Sequence, residues 1–215
     1  MTSSESVRRH FDLDAERFDA IYREDKGLVA RFVDGVWRGV VQRRFALALE
    51  RLTPMEDGSV LDVGCGSGRF SVAFARAGAT TVLGLDIAPR MIELAQDHAE
   101  ALGVADRCSF ELGEFPGIIA SRKFDTTLAF GYFDYVGDPA AHLSAMRDCT
   151  RRDLAVSFPK SRDLRAPIRK VRFALSRCPL YLYSRRGVEE LMAEAGWANY
   201  ELVDLGRDYV VFASK

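Results

Sequence analysis

Hydrophobic residues recur at helical spacing in the first quarter of the chain and form short continuous runs after it. Between residues 11 and 52 the apolar positions include Phe18 and Ile21, with Arg and Glu between them, which predicts two or three amphipathic helices. The pattern breaks at residues 53–58, where Pro and Gly occur. The apolar run at 59–63 that follows is typical of a buried parallel strand.

From residue 59 onward, apolar runs alternate with amphipathic segments. The predicted strands are 59–63, 80–86, 109–112, 124–130, 154–158, 200–204 and 209–213, and the predicted helices are 70–77, 91–102, 140–149 and 187–195. The last two strands read as an antiparallel pair. This alternation predicts an α/β, Rossmann-like doubly wound sheet of seven mostly parallel strands, with an antiparallel C-terminal strand and an N-terminal helical cap.

Composition restricts the class of protein further. The chain has 215 residues, 48% of them hydrophobic and 28% charged, which is ordinary for one globular domain and excludes disordered and collagen-like chains. The four cysteines form no C-x-x-C pair, which argues against a zinc ribbon or a redox dithiol. The N-terminus lacks the apolar core of a signal peptide and no run approaches the ~20 apolar residues of a membrane span, so we expect a cytoplasmic protein.

A glycine-rich turn follows the first predicted strand and is the most informative segment. Asp62 precedes Gly64, Gly66 and Gly68 in a G-x-G-x-G spacing, which differs from the dinucleotide and phosphate-loop spacings. A carboxylate at Asp62 repels phosphate and attracts an ammonium group. Asp86 ends the second strand about 20 residues later, as needed to accept both hydroxyls of a ribose. These two carboxylates favour a nucleoside ligand with a cationic amino-acid end.

Three motifs together resemble the class I S-adenosylmethionine-dependent methyltransferases, nearest to those that act on small molecules. They are the glycine turn at 62–68, the segment 84–92 beginning Gly-Leu-Asp, and Gly-Glu-Phe at 113–115. Their order and spacing cover roughly residues 55–160. The resemblance implies S-adenosyl-L-methionine as cofactor.

The resemblance also assigns cofactor contacts. The implied cofactor-binding residues are Asp62, Gly64, Cys65, Gly66, Gly68, Asp86, Ile87, Met91, Glu114, Phe115, Phe130, Gly131 and, from the N-terminal segment, Tyr22. The three glycines would underlie the methionine moiety, with Asp62 near its ammonium group. Asp86 would hold the ribose, Ile87 would pack on the adenine, and Glu114 with the main chain of Phe115 would contact the adenine edge. The alternative for Glu114 is a solvated loop charge.

Methyl transfer is an in-line displacement in which the cofactor carries the reactive group and the protein positions the acceptor. For a hydroxyl acceptor, a general base within hydrogen-bond reach helps. Tyr132 and Asp134 follow the fourth strand and are the candidate catalytic residues. The alternative is that they shape the pocket wall or cap the helix that starts at Asp138.

The histidines and cysteines indicate neither a metal site nor a nucleophile. His10, His98 and His142 are dispersed and form no metal site, so no metal is expected. His98 is expected at the surface. Cys65 has no neighbouring base in the sequence and is interpreted as a small residue that fills the turn.

Residues 151–186 contain eleven Lys and Arg against two Asp, although the formal net charge of the chain is only -1. Three interpretations stay open: a solvated basic face, recognition of an anionic small molecule, and contact with a membrane surface or RNA. DNA is not expected, because Phe-Gly-Tyr-Phe at 130–133 lacks the Asn/Asp-Pro-Pro-aromatic signature of enzymes that methylate base amines.

We therefore expect one methyltransferase domain, 1–215, that acts on a small molecule, with O-methylation favoured. Its expected parts are an N-terminal helical cap (1–54), a cofactor-binding core (55–158), a basic substrate lid (159–186) and a C-terminal helix and strand pair (187–215). The alternatives are a cofactor-binding protein without catalysis, or a methyltransferase for a membrane-associated or RNA substrate. An NAD-dependent oxidoreductase is disfavoured by Asp62 and the glycine spacing.

Overall fold

The computed structural model describes residues 3–20, 42–53, 57–161 and 178–215. The helices are α1 (Ser3–Ala20), α2 (residues 42–52), α3 (Arg69–Arg76), α4 (Pro89–Ala101), α5 (Pro139–Cys149) and α6 (Arg185–Glu194). The strands are β1 (Ser59–Val63), β2 (Thr81–Asp86), β3 (Cys108–Leu112), β4 (Phe124–Ala129), β5 (Thr150–Pro159), β6 (Asn199–Asp204) and β7 (Asp208–Ser214).

The seven strands form one sheet in the order β3-β2-β1-β4-β5-β7-β6. All pairs from β3 to β5 are parallel, whereas β7 runs antiparallel to both β5 and β6. The predicted Rossmann-like sheet with an antiparallel C-terminal strand is confirmed. Among the helices of the described segments, no apolar stretch reaches the length needed to cross a membrane.

Both faces of the sheet are covered, which explains why its central strands are continuously apolar. On β5, Leu154, Val156 and Phe158 pack in a cluster with residues of α5 and α6, while Ala155 faces a second cluster with residues of α2 and α3. Burying such a side chain contributes on the order of 1.5–3 kcal/mol for the larger residues. The helices are therefore fixed to the sheet mainly by these two apolar layers.

Local signals set most of the helix ends. Pro89 occupies the first turn of α4, as its sequence position predicts, and Gly103 follows the helix at φ +66°. Asp138 caps α5 by accepting from the amide of Ala141 at 3.1 Å. The candidate role of Asp134 or Tyr132 in capping this helix is therefore filled by Asp138 itself.

β5 begins four residues earlier than its apolar run predicts. Thr150 pairs with Phe124 of β4, and Asp153 pairs with Ser214 of β7. Polar residues in the first part of the strand conceal it in the sequence. As a result, Arg151 and Arg152 lie at the amino end of β5, opposite the edge at which the parallel strands end.

The sheet leaves a crevice at the carboxyl ends of β1 and β4. The chain leaves β1 toward β2 on one side, while β4 lies on the other side of β1, and a ligand crevice forms where the strand order reverses in this way. The loops after β1, β2 and β4 meet there. They contain most of the residues that the sequence singles out.

Candidate active site

The glycine turn after β1 is held against β2 by its own main chain. The amides of Gly64 and Cys65 both donate to the carbonyl of Leu85, at 2.8 and 2.9 Å. Gly64 has φ +70°, and a Cβ there would lie 2.9 Å from Cδ2 of Tyr132. Gly66 has φ +54°, and a Cβ there would meet nothing within 4 Å. The turn therefore presents bare main chain at Gly66 to open space, which suits the close approach of a ligand.

Gly68 and Cys65 serve the packing of the same turn. Gly68 has φ +72°, and a Cβ there would lie 2.8 Å from Cβ of Ala95 on α4. Cys65 is 8% exposed, and burial raises the pKa of its thiol well above the ordinary value. Since a nucleophilic cysteine needs a lowered pKa, the interpretation of Cys65 as turn filling is consistent with its surroundings.

Asp62 is buried at the end of β1, with 2% exposure. Its carboxylate accepts from Oγ of Ser71 on α3 at 2.6 Å. Burial raises the pKa of Asp62 to about 6, although the hydrogen bonds from Ser71 act in the opposite direction. A cationic group close to this carboxyl would favour its ionised form.

Asp86 ties the loop after β2 to the glycine turn. One oxygen accepts from the amide of Gly66 at 2.9 Å, and the other accepts from the amide of Ala88 at 2.9 Å. Burial raises the pKa of Asp86 to about 6. The amides of Ala88, Gly66 and Ile87 act against this rise. The two oxygens offer about four lone-pair sites, so Asp86 keeps capacity to accept from a ribose hydroxyl beside these amides.

α1 covers the side of the crevice next to α4. Phe11 packs against Met91, which is 3% exposed, and belongs to the same apolar cluster as the half-buried Ile87. The ring of Phe11 also makes an edge contact with Tyr135 at 5.1 Å between centroids. Ile87 and Met91 thus form an apolar wall between α1 and the end of β2.

The loop after β3 brings Glu114 and Phe115 to the same side. Glu114 is exposed and accepts from Oγ of Ser4 on α1 at 2.5 Å. Phe115 is 3% exposed, with its ring centroid 5.9 Å from that of His142. The contact with Ser4 places Glu114 beside the start of α1 at the surface.

Sequence reasoning missed Arg122, which contacts residues on both sides of Glu114 and Phe115. Its guanidinium donates to both carboxylate oxygens of Glu111 at 2.7 and 2.9 Å, and to the carbonyl of Ile118 at 2.6 Å. The bidentate pair lowers the pKa of Glu111. An arginine ten residues beyond a strand end carries no motif, so only the fold reveals this contact.

Tyr132 and His142 form a hydrogen-bonded pair beside the glycine turn. The hydroxyl of Tyr132 lies 2.7 Å from Nδ1 of His142. Burial raises the pKa of Tyr132 above its ordinary value and lowers that of His142 below 6.5. The imidazole is therefore neutral at pH 7 and able to accept a proton. Sequence reasoning assigned no role to His142; its position in the first turn of the helix after β4 was the available signal.

Asp134 follows Tyr132 on the same loop but has different surroundings. It is 8% exposed, and its carbonyl accepts from the amide of Tyr181 at 2.8 Å. Burial raises the pKa of Tyr183, and the charge of Asp134 adds to this rise. The hydroxyl of Tyr183 donates to the carbonyl of Phe133 at 3.0 Å. Asp134 thus lies where the loop after β4 meets residues 181–183.

Phe130 and Gly131 connect the end of β4 with α3 and β5. The ring of Phe130 stacks on Phe70 with centroids 4.5 Å apart and planes at 9°. Gly131 has φ +74°, and its amide donates to Oγ of Ser157 at 2.9 Å. The Phe130 ring is thus engaged with α3, and the main chain at Gly131 is tied to β5.

His98 is half-buried rather than fully exposed. Its Nδ1 lies 3.3 Å from the carbonyl of Ser67 in the glycine turn. Within the described residues, no group of three His, Cys, Asp or Glu is arranged to bind a metal ion. Tyr22 lies outside the described residues, as do residues 162–177 of the basic segment.

The described cations of the segment 151–186 do not form one basic surface. Each forms an ion pair with a carboxylate, and they lie on different elements. The pairs are Arg151 with Asp125, Arg152 with Asp153, Lys160 with Asp204, Arg185 with Glu189 and Arg186 with Glu190. The other six Lys and Arg of the segment lie outside the described residues.

Comparison with known proteins decides the family. The model of a family described as "Methyltransferase domain" matches residues 55–196. The chain belongs to this methyltransferase family. That result confirms the resemblance on which the site residues were assigned.

Individual relatives agree with the family. A ubiquinone biosynthesis O-methyltransferase of Cereibacter sphaeroides is 40% identical over 95 residues, which cover 44% of this chain and 38% of that protein. A tRNA U34 carboxymethyltransferase of Pseudomonas putida is 29% identical over 154 residues, 68% of this chain and 47% of that protein. The chain thus matches less than half the length of these curated relatives.

Among solved structures, a similar fold occurs in magnesium protoporphyrin IX methyltransferase from Synechocystis PCC 6803 with bound S-adenosylhomocysteine. The TM-score is 0.81, and the match covers 100% of both chains at 21% sequence identity. At this identity the likeness concerns the fold.

Proposed function

We propose that this protein transfers a methyl group from S-adenosylmethionine to a small molecule, with a hydroxyl oxygen as the favoured acceptor. The observation that carries the proposal is the hydrogen bond from the amide of Gly66 to the carboxylate of Asp86 at the end of β2. Beside this bond, a Cβ at Gly66 would meet nothing within 4 Å, so the glycine turn borders open space. Family membership and the fold of a methyltransferase with bound S-adenosylhomocysteine support it.

The residues present fit this cofactor. Main chain without a Cβ at Gly66 accommodates the methionine moiety, and Asp62 offers a carboxylate to its ammonium group. Asp86 accepts from the ribose hydroxyls. The apolar wall of Ile87 and Met91 suits the adenine ring. Glu114 and the main chain of Phe115 would contact the edge of the adenine. When bound, the cofactor supplies an electrophilic methyl group on a sulfonium.

Tyr132 and His142 are suited to remove the proton of an acceptor hydroxyl. The raised pKa of Tyr132 keeps its phenol protonated, so that it is not a base by itself. It accepts the acceptor's proton as its own proton passes to Nδ1 of the neutral His142 at 2.7 Å. Asp134 remains a second candidate base, although its side chain is buried, with 8% exposure.

A calorimetric titration with S-adenosylhomocysteine tests the cofactor assignment. We expect micromolar binding by the native protein and loss of binding in Asp86→Ala. Asp97 is an exposed carboxylate of α4, and Asp97→Ala is the matched control, which should bind like the native protein. Binding of NADH in place of S-adenosylhomocysteine would contradict the proposal and point to an oxidoreductase.

Transfer of a labelled methyl group to a panel of acceptors tests the reaction. The panel contains catechols, simple phenols, carboxylic acids, amines and total tRNA. We propose that the label appears in a hydroxyl compound, in line with the name of the relative from Cereibacter sphaeroides. Labelling of tRNA would favour the alternative raised by the Pseudomonas putida relative, and cofactor binding without any transfer would favour a non-catalytic role. Higher turnover of phenols that carry a carboxylate would identify an anionic acceptor.

A further inference from the structure

Arg44 reaches from α2 to the carboxyl ends of the central strands. Its Nη1 donates to Oγ of Ser157 on β5 at 3.0 Å. The same oxygen accepts from the amide of Gly131 at 2.9 Å. A single buried hydroxyl oxygen, on a residue that is 1% exposed, therefore joins the guanidinium of α2 to the main chain after β4.

A third element completes the environment of this guanidinium. Nε of Arg44 lies 3.6 Å from Oδ2 of Asp208 at the start of β7, and the two side chains are 12% and 9% exposed. Buried ion pairs contribute little net stability because both charges lose their hydration. The arrangement around Arg44 is thus better suited to fixing geometry than to stabilising the fold.

The geometry that Arg44 fixes belongs to the acceptor side of the site. Gly131 immediately precedes Tyr132, whose ring lies against Gly64 and whose hydroxyl contacts His142. A displacement of the main chain at Gly131 would move this ring relative to both partners.

We propose that Arg44 is a positioning residue, which holds the main chain at Gly131 through Ser157 and so sets the loop that meets the methionine end of the cofactor. The proposal deepens the proposed function and rests on its placement of the cofactor. It differs from a purely structural role in one respect. The tie to Ser157 depends on the position of the donor Nη1 at the end of the guanidinium, whereas the pair with Asp208, in which Nε makes no hydrogen bond, requires only a positive charge.

Three variants separate these roles. Arg44→Lys keeps a positive charge beside Asp208 but loses the Nη1 donor to Ser157, and Ser157→Ala removes only the shared oxygen. The double variant combines them, and Arg43→Lys, at an exposed position of α2, is the matched control. Three quantities are measured for each protein. Calorimetry gives the affinity for S-adenosylhomocysteine, and urea unfolding gives the free energy of unfolding. NMR gives the rate of amide exchange of Gly131 without ligand.

We expect each single variant to bind S-adenosylhomocysteine roughly tenfold more weakly, as for loss of one hydrogen bond to a charged group. The double variant should bind no more weakly than the weaker single variant, because both changes break one connection. Exchange at Gly131 should accelerate in all three, and Arg43→Lys should match the native protein in every measurement.

Affinities within about twofold of native in both single variants would overturn the proposal, as would losses that add in the double variant. Weaker binding that only follows a lowered free energy of unfolding, with unchanged Gly131 exchange, would also overturn it. If the native protein binds no S-adenosylhomocysteine, the proposed function fails separately, and the Gly131 exchange still decides whether Arg44 holds this main chain.

Discussion

The hydroxyl of Tyr132 lies 2.7 Å from Nδ1 of His142, and this contact joins the loop after β4 to the first turn of α5. Both groups are shielded from solvent, which shifts their pKa values in directions that keep both neutral at pH 7. The pair is thus a neutral donor and acceptor next to the glycine turn. Its proposed role in proton transfer leads to a kinetic prediction.

Tyr132→Phe keeps the ring against Gly64 but removes the hydroxyl. We expect kcat for a hydroxyl acceptor to fall by about 10²-fold or more, with the affinity for S-adenosylhomocysteine within about twofold of native. Native kcat should be constant above about pH 6.5 and decline below the lowered pKa of His142, and this acid limb should disappear in the variant. Radiolabel transfer over a range of pH measures both effects. An unchanged kcat would show that Tyr132 only lines the pocket.

Asp62 and Asp86 make cofactor binding sensitive to acid. Both carboxyls have a pKa of about 6 in the folded protein, against 3.8 for an ordinary aspartate. Since the folded protein holds these protons more tightly than the unfolded chain, lowering the pH through this interval stabilises the ligand-free fold at these two groups. Binding has the opposite dependence, because the ammonium group and the ribose hydroxyls interact better with ionised carboxylates.

We therefore expect the affinity for S-adenosylhomocysteine to fall by roughly tenfold for each of these groups per pH unit below about 6. Calorimetry between about pH 5 and about pH 8 measures the dependence. Asp86→Asn should bind weakly at all these values and show a shallower pH dependence. The same slope in Asp86→Asn and in the native protein would assign the dependence to other groups.

Arg122 connects the end of β3 to the loop that carries Glu114 and Phe115. Arg122→Ala removes the contacts to Glu111 and to the carbonyl of Ile118, which should loosen this loop. We expect S-adenosylhomocysteine to bind several-fold more weakly, by about 1 kcal/mol, while kcat at saturating cofactor stays near native. Arg186→Ala, which breaks only an exposed helical ion pair with Glu190, should leave binding unchanged. Equal changes of affinity in the two variants would show that Arg122 does not support the cofactor site.

The sequence was informative where function depends on local main-chain geometry. Three glycines and Asp62 within seven residues define the turn after β1, so the strand, the turn and the start of α3 follow from one motif. The extent of β5 was missed because the polar residues Arg151 and Asp153 precede its apolar run, and only pairing with β4 and β7 shows that the strand begins earlier. The partners of Arg44 and Arg122 could not be predicted either, since these contacts join residues that no local pattern relates.

Gly66 and Gly206 offer a matched test of the glycine turn. Both have positive φ, +54° and +87°, and a Cβ would meet nothing within 4 Å at either position. Alanine at each should lower the free energy of unfolding by a similar amount, about 1 kcal/mol, from the left-handed backbone alone. Only Gly66 adjoins the Asp86 carboxylate, so Gly66→Ala should additionally lose most of its affinity for S-adenosylhomocysteine, whereas Gly206→Ala should bind like the native protein. Urea unfolding and calorimetry on the two variants separate these effects. Equal affinities would mean that the open space at Gly66 is not where the ligand lies, because the added methyl group would then displace nothing.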